Sequence, residues 1–314
     1  MRPIFCTSSL AMLLLALGCN HLVPHQRDKG GDGIVKDQPG PTPTVEALVA
    51  YLNANASRVP PGQALNCTNV TIDATADGRS VGISAMMQCQ APRNFMLSGL
   101  ALGNPVVEIG SNNKEFWFWS SQINPPYLYH CAYDNLAQGV KVPFPFQPDM
   151  VLTALGLSPY DATKQYSMQI TENKGRQKFI ELTERALSPE NKPIQKVTVF
   201  NYTTVTKPSE PQVVAHIVKD DKGNVICAAT IRSVQRVGDT GPIIPQMVEF
   251  NWPEQKMKMT MRIYNPKFRA MPPETAAQIF SRQNLRYQSF DLATQALDNA
   301  GVQQAGATGT IYRR

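Results

Sequence analysis

The sequence predicts an α+β fold: a strongly curved antiparallel half-open β-barrel with helices packed on its concave face. Three observations predict it. Twenty-five prolines and twenty glycines punctuate short apolar runs across 314 residues, a spacing that suits many strands and few long helices. Gly110–Ser121 reads GSNNKEFWFWSS, a turn followed by a strand that is apolar on both faces. Phe116 and Phe118 point one way and Trp117 and Trp119 the other, so this strand needs cover on both sides. About eleven strands in succession are also too many for a flat sheet, and such a sheet curls around a core.

The elements follow in chain order. Residues 1–18 join Arg2 to an apolar run from Leu10 to Leu17. That run is too short to span a bilayer, which makes the segment an export signal. Ala16-Leu17-Gly18-Cys19 resembles the lipobox of bacterial lipoproteins. The resemblance implies a diacylglyceryl group on Cys19, cleavage just before it and, with Asn20 following, sorting to the outer membrane. Acyl chains contribute about 0.8 kcal/mol per buried CH₂, so two or three of them anchor stably. Residues 19–43, with GGDG and PGPTP, read as the lipidated Cys and a flexible tether.

The folded body is expected over residues 44–290. Thr44 caps a helix through about Asn55, with Val45, Leu48, Val49 and Leu52 on one face. Strands are expected at Cys67–Ala74, Ser80–Cys89, Phe95–Ala101 and Val106–Ile109, then the aromatic strand and Tyr127–Tyr133. Gln147-Pro148-Asp149 opens a short helix, Met150–Leu157, with Pro and Asp suited to its first turn. Strands resume at Lys178–Leu182, Lys196–Val205, Val213–Lys219, Val225–Val234, Met247–Trp252 and Lys256–Tyr264. In the last, Met257, Met259, Met261 and Ile263 share one face. Pro272-Pro273-Glu274 starts a helix to about Arg282, and residues 291–314 read as a poorly ordered tail. The N-terminal helix and Met150–Leu157 are the segments expected to fill the curl.

Composition excludes some functions. The net charge of +6 favours proximity to anionic lipid. No Lys/Arg cluster is interleaved with aromatics, which argues against nucleic acid as a partner. Catalytic residues are not expected. Asp239-Thr240-Gly241 occurs once, whereas aspartic-protease chemistry needs two carboxylates sharing a proton, so it reads as a turn. His130 and Cys131 are adjacent on a strand and point oppositely, so they cannot act as base and nucleophile. No metal or cofactor motif is present either. Cys67, Cys89, Cys131 and Cys227 remain after the signal and lipid cysteines, an even set that allows two disulfides in an exported chain. Cys67 with Cys89, on neighbouring strands, is the first pairing to expect.

The order of elements around GSNNKEFWFW and the Pro148-Asp149 helix, behind an export signal ending in Cys19, resembles the LolA/LolB superfamily of outer-membrane lipoprotein carriers. The resemblance covers about Thr44 to Phe268. It implies an apolar cavity between the concave face and its helices that receives acyl chains, such as palmitate, or a lipidated protein. A membrane-anchored member would be LolB-like, a receiver that pushes an apolar loop into the membrane. Candidate cavity-lining residues are Phe116, Trp117, Phe118, Trp119, Met257, Met259 and Met261. For the methionines, ordinary core filling is the competing reading. Val142, Phe144 and Phe146, in VPFPF, are the candidate membrane or partner loop, with a packed connector as the alternative. The expected protein is therefore a non-enzymatic, monomeric lipoprotein on the outer membrane, its body facing the periplasm, binding acyl or lipoprotein cargo without a cofactor. The alternative is a scaffold lipoprotein with a filled core; an enzyme would need a polar cleft of titratable groups.

Overall fold

The computed structural model describes residues 42–76, 78–140, 142, 148–175, 177–202, 211–294 and the backbone of Gln303 and Gln304. The signal, Cys19 and nearly all of the tether lie outside the described residues, as do Phe144 and Phe146.

Helix α1 (Val45–Ala56) begins where Thr44 accepts a hydrogen bond from the Ala47 N–H at 3.2 Å, and it buries Leu48, Val49 and Leu52. Strands β1 (Gln63–Ala76), β2 (Arg79–Gln90), β3 (Asn94–Ala101), β4 (Asn104–Ser111) and β5 (Glu115–Ser120) form a meander. The short β6 (Ile123–Asn124) leads to β7 (Leu128–Ala132), α2 (Tyr133–Leu136) and α3 (Pro148–Ala154). A second meander follows: β8 (Tyr166–Glu172), β9 (Lys178–Leu187), β10 (Pro193–Asn201), β11 (Val213–Asp220), β12 (Val225–Arg236), β13 (Ile243–Trp252) and β14 (Met257–Tyr264). The chain closes with β15 (Lys267–Ala270), α4 (Pro273–Ile279), β16 (Ser289–Asp291) and β17 (Gln303–Gln304), the last paired with β6.

One 15-stranded sheet results, in the order β16-β7-β5-β4-β3-β2-β1-β14-β13-β12-β11-β10-β9-β8, with β15 also on β1. The two meanders meet where β1 pairs with β14, Ala74 opposite Met259 and Ile72 opposite Met261. Every pairing in it is antiparallel except β16 with β7, and its two ends do not pair with each other. The sheet is curved and unclosed, as expected. Bulges supply bends: the register shifts between Cys67 and Val70 in β1, and twice between Ile231 and Val234 in β12. Among the described residues no helix is long and apolar enough to cross a membrane.

Register shows which side chains share the concave face. Leu182, Thr198, His216, Ala229, Phe250, Met259 and Ala74 are successive cross-strand partners from β9 to β1, so all point the same way. Two helices cover this face. Leu48, Val49 and Leu52 of α1 pack on Ile180, Leu182 and Phe200. Val151, Leu152 and Ala154 of α3, with Leu155 and Leu157 after it, pack among Phe118, Val248, Phe250 and Met261. Both segments expected to fill the curl do fill it. Helix α4 lies on the opposite, convex face, where Phe280 buries against Ala64 and Met271.

Candidate functional site

The concave site is a joint between α1 and the segment that follows α3. Two asparagines near the end of α1 make it. Asn53 donates to the Tyr160 carbonyl at 2.9 Å and accepts from the Tyr160 N–H at 2.7 Å. Asn55 does the same to Ile243 of β13, at 2.9 and 2.8 Å, and also reaches the Gly156 carbonyl at 3.3 Å. Each side-chain amide thus mimics a strand partner and satisfies backbone groups that would otherwise be orphaned. Between these clamps lies a cavity of about 60 Å³. Leu52, Ala154, Leu155, Val213, Ile231 and Ile244 give it an apolar wall.

One end of the cavity is polar. The Tyr160 hydroxyl is 2.8 Å from the Thr198 hydroxyl, and both stand 3.4 Å from His216 Nδ1. Burial lowers the His216 pKa to about 4 and raises Tyr160 to about 12. The imidazole is therefore neutral at ordinary pH, and among the described residues no carboxylate orients it. Glu184 is engaged by Lys164 instead. The arrangement braces α1 against β10 and β11 without the base–orienter pairing that nucleophilic catalysis uses. Among the described residues no three metal-ligating side chains converge.

The aromatic strand behaves as its alternation predicts. Phe116 and Phe118 enter the main core, Phe118 stacking on Tyr129 with ring centres 5.2 Å apart. Trp117 and Trp119 face the convex side under the C-terminal segment, where Tyr287 stacks on Trp119 at 4.2 Å. Trp119 also donates to the Pro126 carbonyl at 2.9 Å. Gly110 is required beneath Trp117, because a Cβ there would stand 2.3 Å from the indole ring. Trp117 and Trp119 therefore cannot line a concave cavity, a correction to the expectation. Phe116, Phe118, Met257, Met259 and Met261 do face it, yet they are packed into the main core and do not line the 60 Å³ cavity. Nothing in residue type separated its actual lining from core.

The cysteines also differ from expectation. Cys67, Cys89, Cys131 and Cys227 are free thiols, all in the main core. Cys67 faces Met87 and Cys89 faces Leu65 across β1 and β2, so the expected pair is offset by two residues rather than opposed. Burial pushes the Cys67 and Cys227 thiols up to about 12 and Cys131 to about 11, which keeps them protonated. His130 and Cys131 do point oppositely: Cys131 is in the concave core, while His130 Nδ1 stands 3.8 Å from Glu115.

Val142 is half-buried against the main core, as a packed connector would be. Among the described residues a different one is the most exposed apolar side chain. Leu102 stands at the tip of the β3–β4 hairpin, fully exposed and with φ +51°. It occupies a left-handed turn position where Asn or Gly is the usual choice, so neither burial nor backbone preference explains a leucine there. Leu100 and Val81 are exposed nearby on β3 and β2. The sequence signal was Leu102-Gly103 between two apolar runs, a hairpin tip with an apolar residue in the wrong place.

Among the solved structures to which the chain is similar, three follow it over about three quarters of its length. An outer membrane lipoprotein-sorting protein domain from Vibrio parahaemolyticus is 9% identical, with 75% of this chain and 98% of that chain covered and a TM-score of 0.49. A DUF1329 family protein from Desulfovibrio piger is 8% identical over 76% and 98%, with a TM-score of 0.48. A LolA superfamily protein from Nitrosomonas europaea is 13% identical over 76% and 99%, with a TM-score of 0.45. No protein-family model matches the sequence, and no curated protein does.

Proposed function

We propose that this is an envelope lipoprotein, anchored through Cys19, that accepts an acyl chain or the acyl group of a lipidated protein between the sheet and its two concave-face helices. The observation that carries the reading is the seam. The filling of the concavity comes from separate short segments, and they meet at an apolar cavity instead of interlocking. At about 60 Å³ the cavity is smaller than the roughly 300 Å³ of the smallest ligand pockets, so cargo enters by displacing α3. The chain then replaces Val151, Leu152 and Leu155 against Phe250 and Met261. One apolar contact is exchanged for another, and release costs little.

Leu102 supports a membrane-facing role. A leucine held in water at a hairpin tip loses nothing on entering lipid and gains its transfer free energy, about 1.5–3 kcal/mol for a full side chain. The small size of the cavity favours a second reading, a scaffold lipoprotein whose core is permanently filled. One experiment decides between them. The full chain in nanodiscs is illuminated with a photoactivatable palmitate, and the adducts are mapped. The carrier reading expects adducts on the peptides of Leu155, Val213 and Ile231, and faster delivery of the probe to acceptor vesicles by wild type than by Leu102→Asp. An absence of seam adducts leaves the scaffold.

A further inference from the structure

We propose that the convex face carries a separate binding site, a groove under the α4 strap for a single-chain amphiphile with an anionic head. The groove has a volume of about 460 Å³, within the range of small-molecule sites, and it does not depend on the concave seam. Its floor is the outward face of β1, β2 and β3, and its roof is the segment from Gln278 to Leu285.

The roof is held open by its own anchors. The Asn112 side chain donates to the Phe280 carbonyl at 3.0 Å, and the Arg282 Nε donates to both Glu115 oxygens at 3.0 and 2.9 Å. Phe280 is buried on one side of the groove, and the Trp119–Tyr287 stack pins the other. The space is therefore preformed, and a ligand need not pay to order it.

The lining matches one kind of molecule. Met86, Met96, Ile279 and Leu285 offer an apolar track, with Met86 more than half exposed. Unbranched thioethers adapt to chains of varied length. Arg269 is the sole charged residue of the lining, and its guanidinium has no ion-pair or hydrogen-bond partner among the described residues. Lys267, opposite Asn66 in register, adds a second cation on the same face. Between the cation and the track, Gln88 bonds Asn66 at 3.0 Å, and Asn66 is almost wholly buried. Whichever way the two amides are turned, that single bond leaves three of their N–H groups and one C=O for a ligand. A carboxylate or phosphate on Arg269, with an apolar chain along the methionines, satisfies the whole surface.

The test uses the full chain in nanodiscs with three diazirine-tagged twelve-carbon probes: a carboxylate, a phosphate monoester and an uncharged alcohol. The expected adducts fall on the peptides of Met86, Met96 and Leu285 for one or both anionic probes, and the preferred head separates a fatty acid from a lysophospholipid-like source. Arg269→Gln, at an exposed position, lowers anionic labelling there by about tenfold, as loss of a charge-assisted hydrogen bond predicts. Met86→Trp, which fills the track, lowers it as well. Groove labelling that is equal for the alcohol, or unchanged in Arg269→Gln, overturns the proposal. So does labelling confined to the peptides of Leu155 and Val213, an outcome that would leave the concave carrier reading standing.

Discussion

Asn55→Ala tests how α1 is held on the sheet. The substitution removes the bonds of 2.9 and 2.8 Å to Ile243 and the longer one to Gly156. A net contribution of about 0.5–1.5 kcal/mol applies to each good bond, and a further 1–3 kcal/mol to a backbone group left unpaired and half-buried. Ile243 would keep an N–H and a C=O without partners, with partial access to water. The sum is about 3 kcal/mol. In a body of this size each kcal/mol moves the midpoint by about 2–4 °C, so thermal unfolding should shift down by roughly 6–12 °C. Asn55→Asp retains an acceptor for the Ile243 N–H and loses the donor, so it should fall between wild type and alanine. Urea unfolding followed by far-UV circular dichroism measures both. A loss below about 0.5 kcal/mol for Asn55→Ala would show that the clamp is incidental and that apolar packing of Leu48, Val49 and Leu52 alone seats the helix.

Two further outcomes are expected. Gly110→Ala should cost at least about 2 kcal/mol, since the new Cβ lands 2.3 Å from Trp117 and the indole has no space to yield; the change should also appear in tryptophan fluorescence, and an unshifted spectrum with unchanged stability would contradict the packing. His216 titrates near 4 in the folded chain and near 6.5 unfolded, so between those values the unfolded chain binds the extra proton. Its contribution is present above pH 6.5 and is lost as pH falls toward 4, by a few kcal/mol. His216→Gln should flatten the stability–pH curve over that window relative to wild type, and two parallel curves would show that the histidine does not carry the effect.

Much of the fold was readable because it follows from period and valence. The Phe/Trp alternation fixed two covered faces, and the methionine stripe and α1 pattern each named a buried face that the structure buries. Strand β8 was missed for a physical reason. It is the edge strand: Tyr166, Met168 and Ile170 do alternate with polar residues, but Tyr166 and Met168 are only partly buried against the α1 cluster and Ile170 is exposed, so the run carries a weak pattern. The short β15 was missed because four residues carry too little pattern. The cavity lining was not legible because residues such as Val213 and Ile244 look like core in any sequence. Leu102 was legible in principle, but an exposed leucine is a common sight until its φ angle is known.

What the chain determines by itself is which side chains must leave water and on which face of which strand, because side-chain direction follows from backbone period. What covers those faces is a long-range matter. That Tyr287 and Leu285 seal the tryptophan face, that α4 roofs a groove on the convex side, and that β1 meets β14 all depend on contacts between residues far apart in sequence. No local pattern encodes them. Only the curvature of the unclosed sheet decides which of many apolar surfaces come within reach of one another.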